Sequence, residues 1–313
     1  MRVCCLVNLH SGGHLGLSWR KALSSIQETF EGELEIESIG ERPLAEIFSK
    51  GYSSYDLIVI CGGDGTFSSV LPHFVGSDVP LALVPLGTGN DLARELCIPK
   101  VKKEDFLDWV VKFQSYPHVD LSVWEADLGG RKRFFVNYFS AGFDGDVIRF
   151  FDTNRRRLRW LSQWFGLLGN RALYLLGCLW HLAGAPLKEV RVTSNGVSIQ
   201  VTKARTLFFS NIQSVMGFAT SHPKSSAFDE KLELTSFPSW RNYLGLVIPF
   251  CPWKPVHYTG ARDWIVEGLP EGCFLQADGE SLSLIGEERG FAIRYAGTVK
   301  ISGVSSKEVV RDL

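Results

Sequence analysis

The sequence predicts an α/β protein: a parallel sheet covered by helices on both faces, then a mostly antiparallel β domain with a helical insertion. Two observations carry this. Over the first 100 residues apolar runs alternate with amphipathic stretches, the rhythm of a parallel sheet whose crossovers are helices. From about residue 118 onward, strand-like runs follow one another with little but turn residues between them. The boundary is placed near Pro117, giving domains of 1–117 and 118–313, the last residues being able to pack back on the first domain.

The elements follow in order. RVCCLVN (2–8) reads as a buried strand and LSWRKALSSIQETF (17–30) as a helix. ELEIES (33–38) alternates as a strand does, and RPLAEIFSKG (42–51) is a short helix with Pro43 near its start and Gly51 past its end. DLIVICGG (56–63) is a third strand, TFSSVLPHFV (66–75) begins as a helix, PLALVPLG (80–87) is a fourth strand and DLAREL (91–96) a helix. In the second half, GG at 129–130 and NG at 195–196 mark hairpins. The stretch 160–184 reads either as a buried amphipathic helix pair or as an element touching a bilayer, since Arg155, Arg156, Arg157 and Arg159 precede Trp160 and Trp164.

Composition narrows the function classes. The chain has 313 residues, 45% of them hydrophobic and 21% charged, as folded globular proteins do. A net charge of −1 gives no electrostatic argument for nucleic acid. Seven cysteines, an odd number without a C-x-x-C pair, suit a reducing compartment rather than a disulfide framework. The N-terminal apolar run is shorter than a signal peptide requires, and no run reaches a membrane span. The expected location is cytoplasmic, and no feature specifies an oligomeric state.

Three loops, NLHSGG, GGDGT and PLGTGND, fall at strand C-terminal ends, where open parallel sheets bind ligands. Glycines expose backbone N–H groups and allow positive φ, so such loops can wrap a phosphate, with the following helices adding donors. The plainer alternative is three tight turns. No Walker loop, dinucleotide fingerprint or protein-kinase set is present. A carboxylate at Asp64 amid such loops makes sense if a divalent metal lies between it and the phosphates, if it handles a proton, or if it caps a helix. In FLQADGESL (274–282), Asp278 and Glu280 either continue a strand and share one face, as a general base pair would, or flank a polar hairpin turn.

CGGDGT followed by VPLGTGNDLAREL resembles the catalytic domain of diacylglycerol kinases and their bacterial lipid-kinase relatives. VNLHSGG resembles that family's opening, with Leu9 where proline is usual. NYFSAGFDGD and LQADGE resemble two further family blocks, in the same order, so the resemblance spans essentially the whole chain. PLGTGND is closer to the diacylglycerol kinase pattern than to the sphingosine and ceramide kinase variants. The resemblance implies a nucleotide-binding α/β domain and a β-sandwich domain, with ATP as donor, Mg²⁺ as cofactor, and the hydroxyl of diacylglycerol, a membrane lipid, as acceptor during transient contact with the membrane surface. It assigns Asn8, Ser11, Gly12 and Gly13 to the first ATP loop, and Gly62, Gly63, Asp64, Gly65 and Thr66 to the second. Gly87, Thr88, Gly89 and Asn90 fall in the third. Glu280 falls on the proton acceptor, with Asp278 beside it and Asp64 as a third candidate. Asp229 falls on a structural Mg²⁺ ligand, although Glu230 replaces the glycine that follows it in the family. Ile39 or Ser38 stands where a nucleotide-contacting threonine is usual. Rival readings are a kinase of another acceptor, such as a sphingoid lipid or NAD, and a silent nucleotide- or lipid-binding module.

Overall fold

The computed structural model describes residues 1–12, 15–48, 51–87, 89–98, 100–113, 117–154, 157, 167–215, 219–248, 250–284 and 287–302. The chain divides into two compact units, Met1–Val123 with Gly297–Leu313, and Trp124–Ala296. The division falls inside two strands, so each of these contributes residues to both units.

The first unit is built on strands β1 (Arg2–Asn8), β2 (Glu33–Ile39), β3 (Leu57–Gly62) and β4 (Leu81–Pro85). They lie in the order β2-β1-β3-β4, all parallel. Every residue of β3, LIVICG, is buried, as expected of a strand covered on both faces. One face packs Val3, Cys5, Val7, Val59 and Val84 against Trp19 and Leu23 of helix α1 (Leu15–Gln27) and Phe106 and Trp109 further along the chain. On the other face Cys4, Leu6, Ile58 and Ile60 are fully buried as well. Burial pushes the Cys61 thiol up to about 12 and raises that of Cys5 as well, so these thiols are core residues rather than nucleophiles.

The helices are shorter than the apolar pattern suggests. Helix α2 spans only Leu44–Ile47, with Pro43 at its N-cap. Helix α3 (Asp64–Val70) starts two residues early and gives way to a 3₁₀ turn at Leu71–His73. Pro72 explains the change, since it has no N–H to give to the Ser68 carbonyl. Helices α4 (Asp91–Glu95) and α5 (Phe106–Phe113) complete the layer set.

The chain continues through strands β5 (His118–Asp127), β6 (Lys132–Phe135) and β7 (Tyr138–Gly142), then helices α6 (Phe143–Asn154) and α7 (Leu167–His181). Next come β8 (Leu187–Ser194), β9 (Val197–Ala204), β10 (Thr206–Ser210), the two-residue strands β11 (Ser214–Val215) and β12 (Ala219–Thr220), and β13 (Leu232–Phe237). A one-turn helix α8 (Leu244–Val247) precedes β14 (Val256–Ala261), β15 (Asp263–Glu267), β16 (Phe274–Ala277), β17 (Glu280–Ser283) and β18 (Gly290–Ser302). Near the end of β18, Ile301 pairs in parallel with Leu81 of β4.

In the second unit one antiparallel sheet runs β14-β13-β10-β7-β16-β17. Strands β18, β15, β8 and β9, with β5 and β6, supply the other antiparallel pairings. Their inner faces share one core that includes Trp124, Phe135, Phe139, Phe209, Leu234, Trp264 and Phe291. Both buried indoles are satisfied: Trp124 donates to Asn211 Oδ1 at 2.9 Å and Trp264 to the Leu232 carbonyl at 2.8 Å. The expected hairpins form at Gly129–Gly130 and at Asn195–Gly196, where both turn residues have positive φ. In the expected helix pair at 160–184, residues 158–166, Trp160 and Trp164 included, lie outside the described residues, as do Arg155 and Arg156. What is described there is α7, and its partner is α6, with the rings of Phe151 and Tyr174 stacked at 4.1 Å. Among the described residues no helix is long and apolar enough to cross a membrane.

His222 gives this unit a readable pH dependence. Burial, then the neighbouring His257 and Lys224, push it down to about 4. A histidine whose folded pKa lies below its unfolded value of about 6.5 binds fewer protons when folded, so its contribution to stability is lost as pH falls from 6.5 toward 4. Urea unfolding at pH 7 and pH 5 should show the wild type losing about 1–2 kcal/mol more than His222→Gln between the two conditions.

Candidate active site

The three loops at the ends of β1, β3 and β4 are tied together by side chains from their own motifs. Asn8, the last residue of β1, donates through Nδ2 to Thr66 Oγ1 at 2.8 Å and accepts the His10 N–H at 3.0 Å. Ser11 Oγ lies 3.5 Å from the same Thr66 hydroxyl. Asp64, in the first turn of α3, accepts the backbone N–H of Asp91 at 2.8 Å and so links the second loop to the third. Its place is not the N-cap, which Gly63 occupies in extended conformation.

Glycine is required here for close approach. A methyl group built on Gly63 would lie 2.9 Å from the Gly87 Cα, and one on Gly87 would lie 2.7 Å from the Gly63 Cα. Gly62 serves a different neighbour: its missing side chain makes room for that of Thr66, 2.5 Å from where a Cβ would stand. Gly12 has φ +59, and a Cβ there would meet the Leu86 carbonyl oxygen at 2.4 Å. Gly65 sits in the first turn of α3 between Asp64 and Thr66. Gly13 and Thr88 lie outside the described residues.

The carbonyls of the third loop are turned onto internal donors. Asn90 Nδ2 donates to the Gly87 carbonyl at 2.8 Å, and Arg94 donates to the Gly89 carbonyl at 2.9 Å while pairing with Asp91 at 2.6 Å. Occupied carbonyls no longer present bare negative ends to an incoming anion. Asn90 adopts φ 52 at the N-cap of α4, and its Oδ1 is buried with no hydrogen-bond partner among the described residues. Two residues escaped the sequence reading. Gly16 lets α1 press onto β1, since a Cβ there would meet the Asn8 carbonyl oxygen at 2.1 Å. Arg94 was legible only as an i,i+3 partner of Asp91.

The second unit carries Asp278 and Glu280. The alternative in which both continue one strand is not what forms. Asp278 and Gly279 have φ 48 and 81 and make a two-residue hairpin between β16 and β17, with Glu280 paired to Ala277. The Asp278 carboxylate is buried and accepts three backbone N–H groups, from Val136 at 2.9 Å, Asn137 at 2.9 Å and Tyr138 at 3.0 Å. It therefore holds the NYFS segment against the hairpin. Gln276 accepts the Gly279 N–H at 2.9 Å and donates to buried Asp144 at 3.0 Å, where Ser140 donates as well at 2.8 Å. Burial pushes the Asp144 carboxyl up and these two donors pull it back. Glu280 is exposed and forms an ion pair with Arg133.

Asp229 accepts the Lys231 N–H at 3.2 Å. Burial, then the nearby Asp229, pushes Glu233 up to about 7. Among the described residues no group of three or more His, Cys, Asp or Glu is arranged to hold a metal. Glu230, which follows Asp229, has φ 56, a left-handed backbone that glycine would adopt more readily.

The chain thus combines an α/β unit bearing glycine-rich strand-end loops with an antiparallel sheet unit. Residues 2–119 match the diacylglycerol kinase catalytic domain. Over 192 residues it is 29% identical to the diacylglycerol kinase of Mycobacterium tuberculosis (strain ATCC 25618 / H37Rv), a match covering 61% of this chain and 57% of that protein. The chain thus spans little more than half the length of this relative. The crystal structure of a diacylglycerol kinase from Bacillus anthracis str. Sterne superposes with a TM-score of 0.64 at 17% identity, covering 98% of both chains. Yeast NADH kinase superposes at 0.54 with 11% identity, over 99% of this chain and 86% of that one, a likeness of fold.

The Asp278 clamp makes a prediction. Asp278→Asn puts an amide N–H₂ where a carboxylate oxygen accepted an N–H, and should destabilise the chain by roughly 2–4 kcal/mol in urea unfolding. Glu280→Gln, at an exposed position, should leave stability within about 0.5 kcal/mol.

Proposed function

We propose that this chain transfers the γ-phosphoryl group of ATP to the free hydroxyl of diacylglycerol, giving phosphatidic acid, while peripheral on the cytoplasmic membrane surface. The observation that carries the reading is the cross-tied loop cluster, whose Gly63 and Gly87 backbones approach too closely for any side chain. Bare backbone with its carbonyls satisfied internally is what a triphosphate needs from its host. Phosphoryl transfer then asks mainly for positioning and neutralisation of charge.

The donor set suits Mg²⁺: the Asp64 carboxylate and the buried, unpartnered Asn90 Oδ1 are both oxygens. The metal, held by these two residues with the phosphates, would neutralise charge on the transferring group. Asn8, Ser11, Gly12 and Thr66 shape the first two phosphate loops, and Arg94 keeps the third in shape. Glu280 accepts the proton of the acceptor hydroxyl, and Arg133 orients its carboxylate. Asp278 is the positioning residue behind it. Asp229 remains a candidate second metal ligand, with Glu233 beside it.

The likeness to yeast NADH kinase favours a second reading, in which the acceptor is a nicotinamide dinucleotide. Incubation with labelled ATP, Mg²⁺ and mixed acceptors, followed by solvent extraction, decides between them. The lipid reading expects label in the organic phase; label in a dinucleotide supports the second, and no transfer to any acceptor would mean a silent binding module. Under the lipid reading Glu280→Gln should lower kcat about 100-fold or more with nucleotide affinity unchanged. Near-normal turnover would place the base elsewhere. Chelation of Mg²⁺ should abolish transfer, and adding it back should restore it.

A further inference from the structure

The segment after β13 has a surface that the nucleotide and hairpin sites do not use. Trp240, Ile248, Phe250, Trp253 and Val256 are all exposed there, Phe250 at 99%. Phe250 also sits in the left-handed region, φ 63, a conformation that residues other than glycine rarely adopt. A large apolar side chain held fully in water on strained backbone serves no purpose in the isolated fold.

The support beneath it is rigid. Ser239 and Asn242 form a reciprocal cap, and Asn242 Nδ2 donates to the Lys254 carbonyl at 2.7 Å, fastening the two limbs of the segment together. Gly245 allows the limbs to touch, since a Cβ there would meet the Trp253 carbonyl oxygen at 2.3 Å. The Arg241 guanidinium lies 5.8 Å from the Trp240 ring centroid and 5.3 Å from that of Trp253. The aromatic side chains are therefore presented on a braced platform.

The charge pattern identifies the occupant. From Leu234 to Arg262 the chain contains no Asp or Glu, yet it carries Arg241, Lys254 and Arg262. Among the described residues neither Arg241 nor Lys254 forms an ion pair. Cations without carboxylate partners, set beside indoles and ringing an apolar tip, match the headgroup layer of an anionic bilayer: positive charge toward phosphate, indole at the interface, phenyl toward the acyl chains. A protein partner's apolar face would not call for the unpaired cations.

We infer that Trp240, Arg241, Ile248, Phe250, Trp253 and Lys254 form the surface by which this chain rests on an anionic phospholipid bilayer, with Phe250 inserted and Arg241 and Lys254 on the headgroups. The inference rests on the lipid-kinase reading for its purpose but is measured by binding alone. The test is co-sedimentation of the full chain with phosphatidylcholine vesicles, with and without phosphatidylglycerol. Wild type should bind the anionic vesicles more tightly, and added salt should weaken that binding. Phe250→Ser should weaken it about tenfold or more, with unchanged thermal stability because the side chain is exposed. Arg241→Glu and Lys254→Glu should each remove at least about fivefold of the preference for anionic vesicles. Both classes of variant should phosphorylate a water-soluble short-chain diacylglycerol at the wild-type rate. Wild-type-like vesicle binding by Phe250→Ser and Trp253→Ser would overturn the surface and leave the kinase reading standing. Self-association lost in Phe250→Ser while vesicle binding persists would overturn it in favour of a contact between copies. Vesicle binding lost in Phe250→Ser, together with no transfer to any lipid by the wild type, would keep the surface and remove the kinase reading.

Discussion

A Cβ on Gly63 would stand 2.9 Å from the Gly87 Cα, and one on Gly87 would stand 2.7 Å from the Gly63 Cα. Two strand-end loops can meet only because both positions lack side chains. Everything at that edge of the first unit follows from the approach. It lets Asp64 reach the Asp91 amide, which sets where α4 begins. It places Asn90 so that its Nδ2 closes on the Gly87 carbonyl and its Oδ1 stays buried without a partner among the described residues. Asn8 and Thr66 add the third loop-to-loop tie. The aspartate inside a glycine loop thus has a structural role, joining two loops through a backbone amide, alongside the metal role proposed for its charge.

The second unit solves a different problem, that of holding a polar hairpin in register beside a hydrophobic core. Three backbone N–H groups converge on Asp278, and Gln276 bridges the Gly279 amide to the buried Asp144. A buried carboxylate is tolerable when its lone pairs are occupied, and here the occupation joins two segments about 140 residues apart in sequence. Asp278 and Glu280 are therefore unequal. One is part of the scaffold, while the other, exposed and paired with Arg133, can exchange partners.

Much of this was legible in the residues, for reasons that differ by element. Three of the four parallel strands of the first unit announced themselves as continuous apolar runs and ELEIES by its alternation, and LIVICG could hardly lie elsewhere than in the sheet centre. The segment 66–75 begins as a helix, as expected, and the helix stops at Val70 because the hydrogen-bond ladder cannot continue through Pro72 although the apolar period does. Asp278-Gly279 was ambiguous because an Asp-Gly pair suits a turn while its neighbours suit a strand; the pairing of Ala277 with Glu280 decided for the turn. Gly16 and Arg94 were missed because close packing against a carbonyl and support of a loop leave no pattern of their own. The glycines of the loops were read together as phosphate contacts, whereas Gly62 makes room for Thr66.

The account stands on the strand-end loops being one phosphate cradle. Backbone hydrogen exchange of the full chain, with and without Mg²⁺ and a non-hydrolysable ATP analogue, addresses this most directly. The cradle predicts that nucleotide slows exchange at the amides of residues 62–66 and 86–91 together. Bound nucleotide that leaves both loops unprotected, with slowing elsewhere in the chain, would contradict it.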